Sequence, residues 1–185
     1  LANLVKPGES EVCIYYSGHG APDVQSREAW FVPADCDPNM VTLNGYSLNT
    51  FYRNLGQIPY KSLTVVIDAC FSGSSASGPL LKNASPVYIR PEVGLLNRPE
   101  TVIFTATSQT QIASWYPEKG HSLFTWYFLN SLKGAGDLDG NKKVGLVEMS
   151  NYLSENVPYM ARKLYNREQV PQVHGNTKEA LLKLP

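Results

Sequence analysis

Three short apolar runs constrain the fold of this chain more than any other feature: EVCIYYS (11–17), LTVVIDA (63–69) and TVIFTAT (101–107). Each is rich in β-branched or aromatic residues and bounded by turn formers, as a strand is. Their hydrophobicity is nearly continuous, which suits strands covered on both faces. Helical patterns lie between and after them. Ser47 to Leu55 reads as a capped helix closed by Gly56. HSLFTWYFLNSLKG (121–134) is apolar at 123, 124, 127, 128 and 132, with Gly134 as its stop. GLVEMSNYLSENV (145–157) is apolar at 146, 149, 153 and 157, and Pro158 follows it. AWFVPADC (29–36) is expected to form a small hairpin with the MVTL that comes after it. Strands alternating with helices predict a three-layer α/β/α sandwich built on a mainly parallel sheet.

The 185 residues suffice for a single domain, 1–185, with its own core. Sixteen basic residues balance sixteen acidic ones. No basic stripe or polybasic segment is present, so neither nucleic acid nor a membrane surface is an expected partner. No apolar run approaches the ~20 residues of a membrane span. Three cysteines (Cys13, Cys36, Cys70) are an odd number without framework spacing, which favours a reducing, cytoplasmic setting.

In an open α/β sheet, ligands bind beyond the carboxyl ends of the strands. Two strands end on reactive residues. YYSGHG places His19 just past the first, and IDACFSG places Cys70 at the end of the second. If the two strands are parallel neighbours, imidazole and thiol leave the same edge. An ordinary thiol, with a pKa of about 8.5, is mostly protonated at neutral pH and needs such a neighbour to become a nucleophile. The glycines flanking His19 allow close backbone approach, and the N–H groups of Gly20 and Cys70 are expected to form an oxyanion hole. Alternation along the strand puts Asp68 on the same side as Cys70. A carboxylate at the bottom of a cleft favours arginine or lysine and repels aspartate. Cys13, in mid-strand, and Cys36, between Asp35 and Asp37, are expected to be inert.

YYSGHG and DACFSG, in this order and about 50 residues apart, resemble the caspase-like clan of cysteine peptidases. The resemblance is to its metacaspase and prokaryotic caspase-homologue branch. FTATSQTQIASW (104–115), HSLFTWYFLNSLKG and QVPQVHGN (169–176) resemble later parts of the same domain. The resemblance implies His19 and Cys70 as the catalytic pair and cleavage after basic residues through Asp68. Ser17 and Thr105 become walls of that pocket, and polypeptides become the substrates. It requires no metal or organic cofactor for the chemistry. Such domains usually begin with one or two strands and a helix before the histidine strand, where only about ten residues stand here. The chain is therefore expected to be a fragment, its sheet completed by an N-terminal piece or another chain. The long segment 74–99 is the expected processing loop, with Lys82, Arg90 and Arg98 as self-cleavage sites.

DLDGNKKVGLVE (137–148) resembles an EF-hand loop, with Asp137, Asp139, Asn141 and Glu148 as calcium ligands. Lys142 replaces the glycine of the sixth position, which weighs against the site. A different acidic cluster activates many metacaspases; near the cysteine, where one of its members falls, this chain has Ser74, Ser75 and Ser77. That weighs against calcium activation. The sequence leaves two rival functions open: a catalytically silent caspase-like module for protein assembly, and a peptidase specific for aspartate.

Overall fold

The computed structural model describes every residue except 1, 24, 27, 38, 39, 73, 76, 77, 80–94, 96, 99, 109, 110, 178, 179 and 185. In chain order the principal strands are β1 (Glu11–Ser17), β2 (His19–Asp23), β3 (Glu28–Val32), β4 (Tyr46–Ser47), β5 (Ser62–Asp68), β6 (Thr101–Thr105) and β7 (Gln172–Asn176). The principal helices are α1 (Leu48–Gly56), α2 (Leu123–Asn130) and α3 (Leu146–Tyr165). The central sheet runs β1-β5-β6-β7. β1 lies parallel to β5, and β5 parallel to β6, while β7 closes the row antiparallel. The three apolar runs are thus adjacent parallel strands, as their continuous hydrophobicity requires of β5 and β6.

Alternation along the strands feeds two cores. Leu63, Val65, Ile67 and Ile103 face Leu48, Tyr52 and Leu55 of α1. Val66, Val102 and Phe104 face Phe124 and Phe128 of α2 and the stripe Met149, Leu153, Val157 and Ala161 of α3. Helices on both faces of a mainly parallel sheet make the expected α/β sandwich. Each fully buried leucine-sized side chain contributes about 1.5–3 kcal/mol. Ser47 and Ser122 cap α1 and α2, each hydroxyl accepting the N–H three residues on. Among the described residues no helix is long and apolar enough to cross a membrane.

Four expectations need correction. The MVTL segment is no strand: Val41–Asn44 is a helical turn, and β3 pairs with β2 and β4 instead. Val41 is buried in a small core with Ala21 and Cys36, which holds the turn. The last long helix does not stop before Pro158 but runs on to Tyr165, ended by a left-handed Asn166 (φ 50°). Its buried stripe continues past the proline to Ala161, so packing outweighs one lost backbone bond. The helical segment after 121 ends its regular turns at Asn130 and widens into a single π turn over 131–135, within which Gly134, the expected stop, leaves helical geometry (φ 114°). Finally, β1 is not covered on both faces: Glu11, Cys13, Tyr15 and Ser17 are exposed, and Val12, Ile14 and Tyr16 half-buried. α2 and α3 stack over β5 and β6, leaving a groove of about 330 Å³ lined by Glu11, Cys13, Thr64, Phe128 and Met149 among others. Cys13 is therefore accessible.

Candidate active site

β1 and β5 stay in register through their last pair, Ser17 opposite Asp68. The residues that come after the two strands therefore leave the sheet at the same edge. The Gly18 N–H donates to the Asp68 carbonyl at 3.2 Å and ties the two strand ends together. The chain turns there and enters β2 at His19, whose imidazole is exposed. The Tyr16 hydroxyl donates to the His19 carbonyl at 2.8 Å. The Tyr16 ring packs on Phe31, with centroids 4.4 Å apart, and Phe31 packs on Phe71 at 5.7 Å. This aromatic row joins the histidine strand to the residue next after the cysteine.

Gly20 shows how close the two motifs lie. A Cβ built on it would fall 2.7 Å from the Cys70 carbonyl oxygen and run into the Phe71 ring. Only glycine permits this approach, so packing requires the second glycine of GHG. The two motifs meet beyond the carboxyl ends of parallel neighbours, as their spacing in the sequence suggested.

The Cys70 thiol is buried. Burial pushes its pKa up; the Ala113 N–H, 2.8 Å from Sγ, pulls it down, Asp68 adds a push upward, and Arg167 a pull downward. The net displacement is upward, so at neutral pH the resting sulfur carries its proton. It needs a base on demand. Among the described residues the Cys70 N–H has no backbone partner. That N–H and its closeness to Gly20 are the raw material of an oxyanion site.

Asp68 is buried, 4% exposed. The hydroxyls of Ser122 and Thr125, at the start of α2, both donate to its Oδ2. Oδ1 takes no part in those bonds. Since the single proton of Thr125 goes to Asp68, Tyr15 must donate to Thr125 Oγ1, at 2.7 Å. Burial raises the Asp68 carboxyl, and the two hydroxyls offset part of that rise. The positive end of α2 also faces the carboxylate. Ser17 stands beside Asp68 on the neighbouring strand, exposed. Thr105 ends β6 one strand further along, half-buried, with its hydroxyl donating to the Thr107 carbonyl at 3.2 Å.

The remaining sequence candidates lie elsewhere. Lys82, Arg90 and Ser77 fall outside the described residues. Arg98 is engaged: its Nη1 donates to the Gly56 and Ile58 carbonyls at 2.7 and 2.8 Å, and its guanidinium lies 3.9 Å over the Tyr60 ring. Cleavage after Arg98 would first have to break these contacts. Cys36 is buried, and desolvation, then Asp35 and Asp37, push its thiol up. Asp137, Asp139 and Glu148 bring one carboxylate oxygen each within 4.8 Å of the others. Lys142 takes the left-handed conformation (φ 63°) that the missing glycine would have taken freely. The Asp137 and Asp139 carboxylates accept the Asn141 N–H, and Glu148 accepts those of Leu138 and Gly145. With Glu11 and Lys61, Asp139, Asn141 and Glu148 line a groove of about 1030 Å³ at the opposite end of the strands from Cys70. An oxygen-seeking cation held there would brace the fold and touch none of the reacting groups.

Sequence reasoning missed Ser122 and Thr125 under Asp68, and Ala113 against the sulfur. Their sole local signal was Ser122 as a helix cap, and nothing in that signal named its second partner 54 residues away. A family model for the caspase domain matches residues 2–182 of the chain. No curated protein matches it. Among solved structures, caspase-1 from Spodoptera frugiperda aligns over 95% of this chain and 90% of its own, with 11% identity and a TM-score of 0.40, too distant to assign any residue's role here.

Proposed function

The chain belongs to the caspase-domain family of cysteine peptidases, and on that premise we propose that it is an endopeptidase cutting polypeptides after arginine or lysine. The observation that carries this reading is the packing of Gly20, the residue after His19, onto the Cys70 carbonyl, so close that Gly20 has no room for a side chain. His19 accepts the Cys70 proton as the sulfur attacks the scissile carbonyl carbon. The Gly20 and Cys70 N–H groups take the developing oxyanion. When the C–N bond breaks, His19 returns the proton to the leaving amine, and an acyl-thioester remains. A water then gives its proton to His19 and attacks the acyl carbon; the sulfur leaves and is reprotonated. The burial that keeps the thiol protonated at rest makes His19 necessary.

Asp68 is the reading's source of specificity. Its carboxylate, backed by two hydroxyls and the start of α2, presents negative charge beside the nucleophile, with Ser17 and Thr105 as flanking walls. A guanidinium or ammonium entering there meets its counter-charge, and an aspartate is repelled. Self-processing in the 74–99 segment belongs to the same reading, with Lys82 and Arg90 favoured over the engaged Arg98. The edge of β1 that lacks a neighbour among the described residues supports completion of the sheet by a further strand, from another part of the protein or another chain. Peptides with Arg, Lys or Asp before the bond test the proposal. Hydrolysis of the first two alone, lost in Cys70→Ala, is expected. Cleavage after Asp would overturn the specificity and leave the enzyme. No cleavage of any peptide, with equal loop processing in wild type and Cys70→Ala, would favour a silent assembly module.

A further inference from the structure

Among the described residues one N–H points at the Cys70 sulfur, that of Ala113, at 2.8 Å. The segment that supplies it, 106–114, has neither helix nor strand over its described residues. Ala113 itself lies in no regular element. The backbone anchors the ends of its segment, Ala106 N–H to the Ile67 carbonyl and Leu123 N–H to the Ser114 carbonyl, each at 2.9 Å, and a distant side chain joins those ends. Gln169 is fully buried, and its amide spans the segment from one end to the other. Its Oε1 accepts the Ser114 N–H at 2.8 Å, next in the chain to Ala113. Its Nε2 donates to the Ala106 carbonyl at 3.1 Å. A second amide works in the reverse sense: Gln111 Oε1 accepts the Val170 N–H at 2.7 Å and the Ser108 N–H at 3.4 Å. The two segments are cross-clipped, each by a glutamine of the other.

Burying a primary amide is costly unless both its ends are bonded, and bonding both ends fixes what they hold. We propose that Gln169, seconded by Gln111, is a positioning residue of the peptidase: it holds the 106–114 segment so that the Ala113 N–H stands on the Cys70 sulfur when that sulfur becomes a thiolate. Neither glutamine touches the reacting atoms. Their effect reaches the nucleophile through one backbone N–H. The inference rests on the reading of Cys70 as the nucleophile.

A glutamine that only braces the fold would change thermal stability and leave the reactivity of the thiol alone. The test is therefore the pH profile of iodoacetamide alkylation at Cys70, tracked on its own peptide by mass spectrometry because the exposed Cys13 is alkylated as well. In Gln169→Met, alkylation at neutral pH is expected to slow about tenfold and to meet the wild-type rate at high pH, where the thiolate forms without help. With the Arg peptide, kcat is expected to fall by a similar factor and KM to move less than about twofold. Gln111 is only half-buried, so Gln111→Met disturbs the fold less than Gln169→Met; the same change, about threefold, is expected there. Superimposable profiles for the folded variants and wild type would overturn the proposal. So would a slowing that is equal at every pH, since that reports access to the sulfur. Alkylation needs no turnover. A wild-type protein that cleaves no peptide would therefore defeat the proposed function, while the alkylation profiles would still decide the role of the glutamines.

Discussion

At the scale of single residues, the site depends on distances that tolerate little change. Gly20→Ala forces a methyl into the Cys70 carbonyl and the Phe71 ring. Overpacking of this kind costs about 1–3 kcal/mol, and the displaced His19 is expected to lower kcat/KM by about 100-fold or more. A melting curve and a progress curve on one sample check both. Asp68→Asn separates charge from shape. It keeps an acceptor for Ser122 and Thr125 and removes the counter-charge for a basic side chain, so KM for Arg peptides is expected to rise about tenfold or more. The pH dependence has a definite sign. Because burial raises the folded pKa of Asp68, its contribution to stability is full below the unfolded value of about 3.9 and is lost as pH rises through the folded one. The Tm of Asp68→Asn is thus expected to gain on wild type between pH 4 and pH 7; a constant gap would mean that the carboxylate is not held at a cost. The meeting of the His19 and Cys70 motifs at one sheet edge was legible in the sequence because each sits a fixed step beyond a recognisable strand. Gln169 was not, since its meaning lies entirely in partners 55 and 63 residues away.

At the scale of elements, the two capping serines offer an internal comparison. Ser47 bonds the Thr50 N–H and lies near Glu28. Ser122 bonds the Thr125 N–H and also supports Asp68. Ser47→Ala should cost about 1 kcal/mol, the usual loss of a cap, and leave peptide selectivity alone. Ser122→Ala should cost more, because it also strips a donor from a buried carboxylate, and it should raise KM for Arg peptides. Urea unfolding with peptide kinetics distinguishes them, and equal effects on KM would contradict the account of Asp68. The strands were legible for the same reason that the caps were, since period and boundary residues are local properties. The turn at 41–44 and the passage of α3 through Pro158 were not. Both are decided by what the segment packs against: Val41 in a three-residue core, and Ala161 one turn beyond the proline.

At the scale of the whole molecule, the parallel order β1-β5-β6 turns two distant motifs into one site. The sequence carried that architecture in its three apolar runs, but not the exposure of β1, which depends on how far α2 and α3 reach across the sheet. The acidic loop 137–148 lies toward the other end. If calcium binds there, millimolar CaCl2 is expected to raise Tm, an increase that Asp139→Ala removes, with kcat unchanged in both; a calcium-dependent kcat would contradict the separation of that loop from the chemistry. Covalent capture distinguishes a Cys70–His19 peptidase site that reads a basic side chain from any other arrangement. Wild-type protein, His19→Ala and Cys70→Ala are each incubated with two peptidyl acyloxymethyl ketones that differ only in Arg or Asp at the reactive position, and their intact masses are measured. One adduct is expected, on Cys70, from the Arg probe in wild type alone. Capture of the Asp probe in preference to the Arg probe, or equal labelling with and without His19, would contradict this reading.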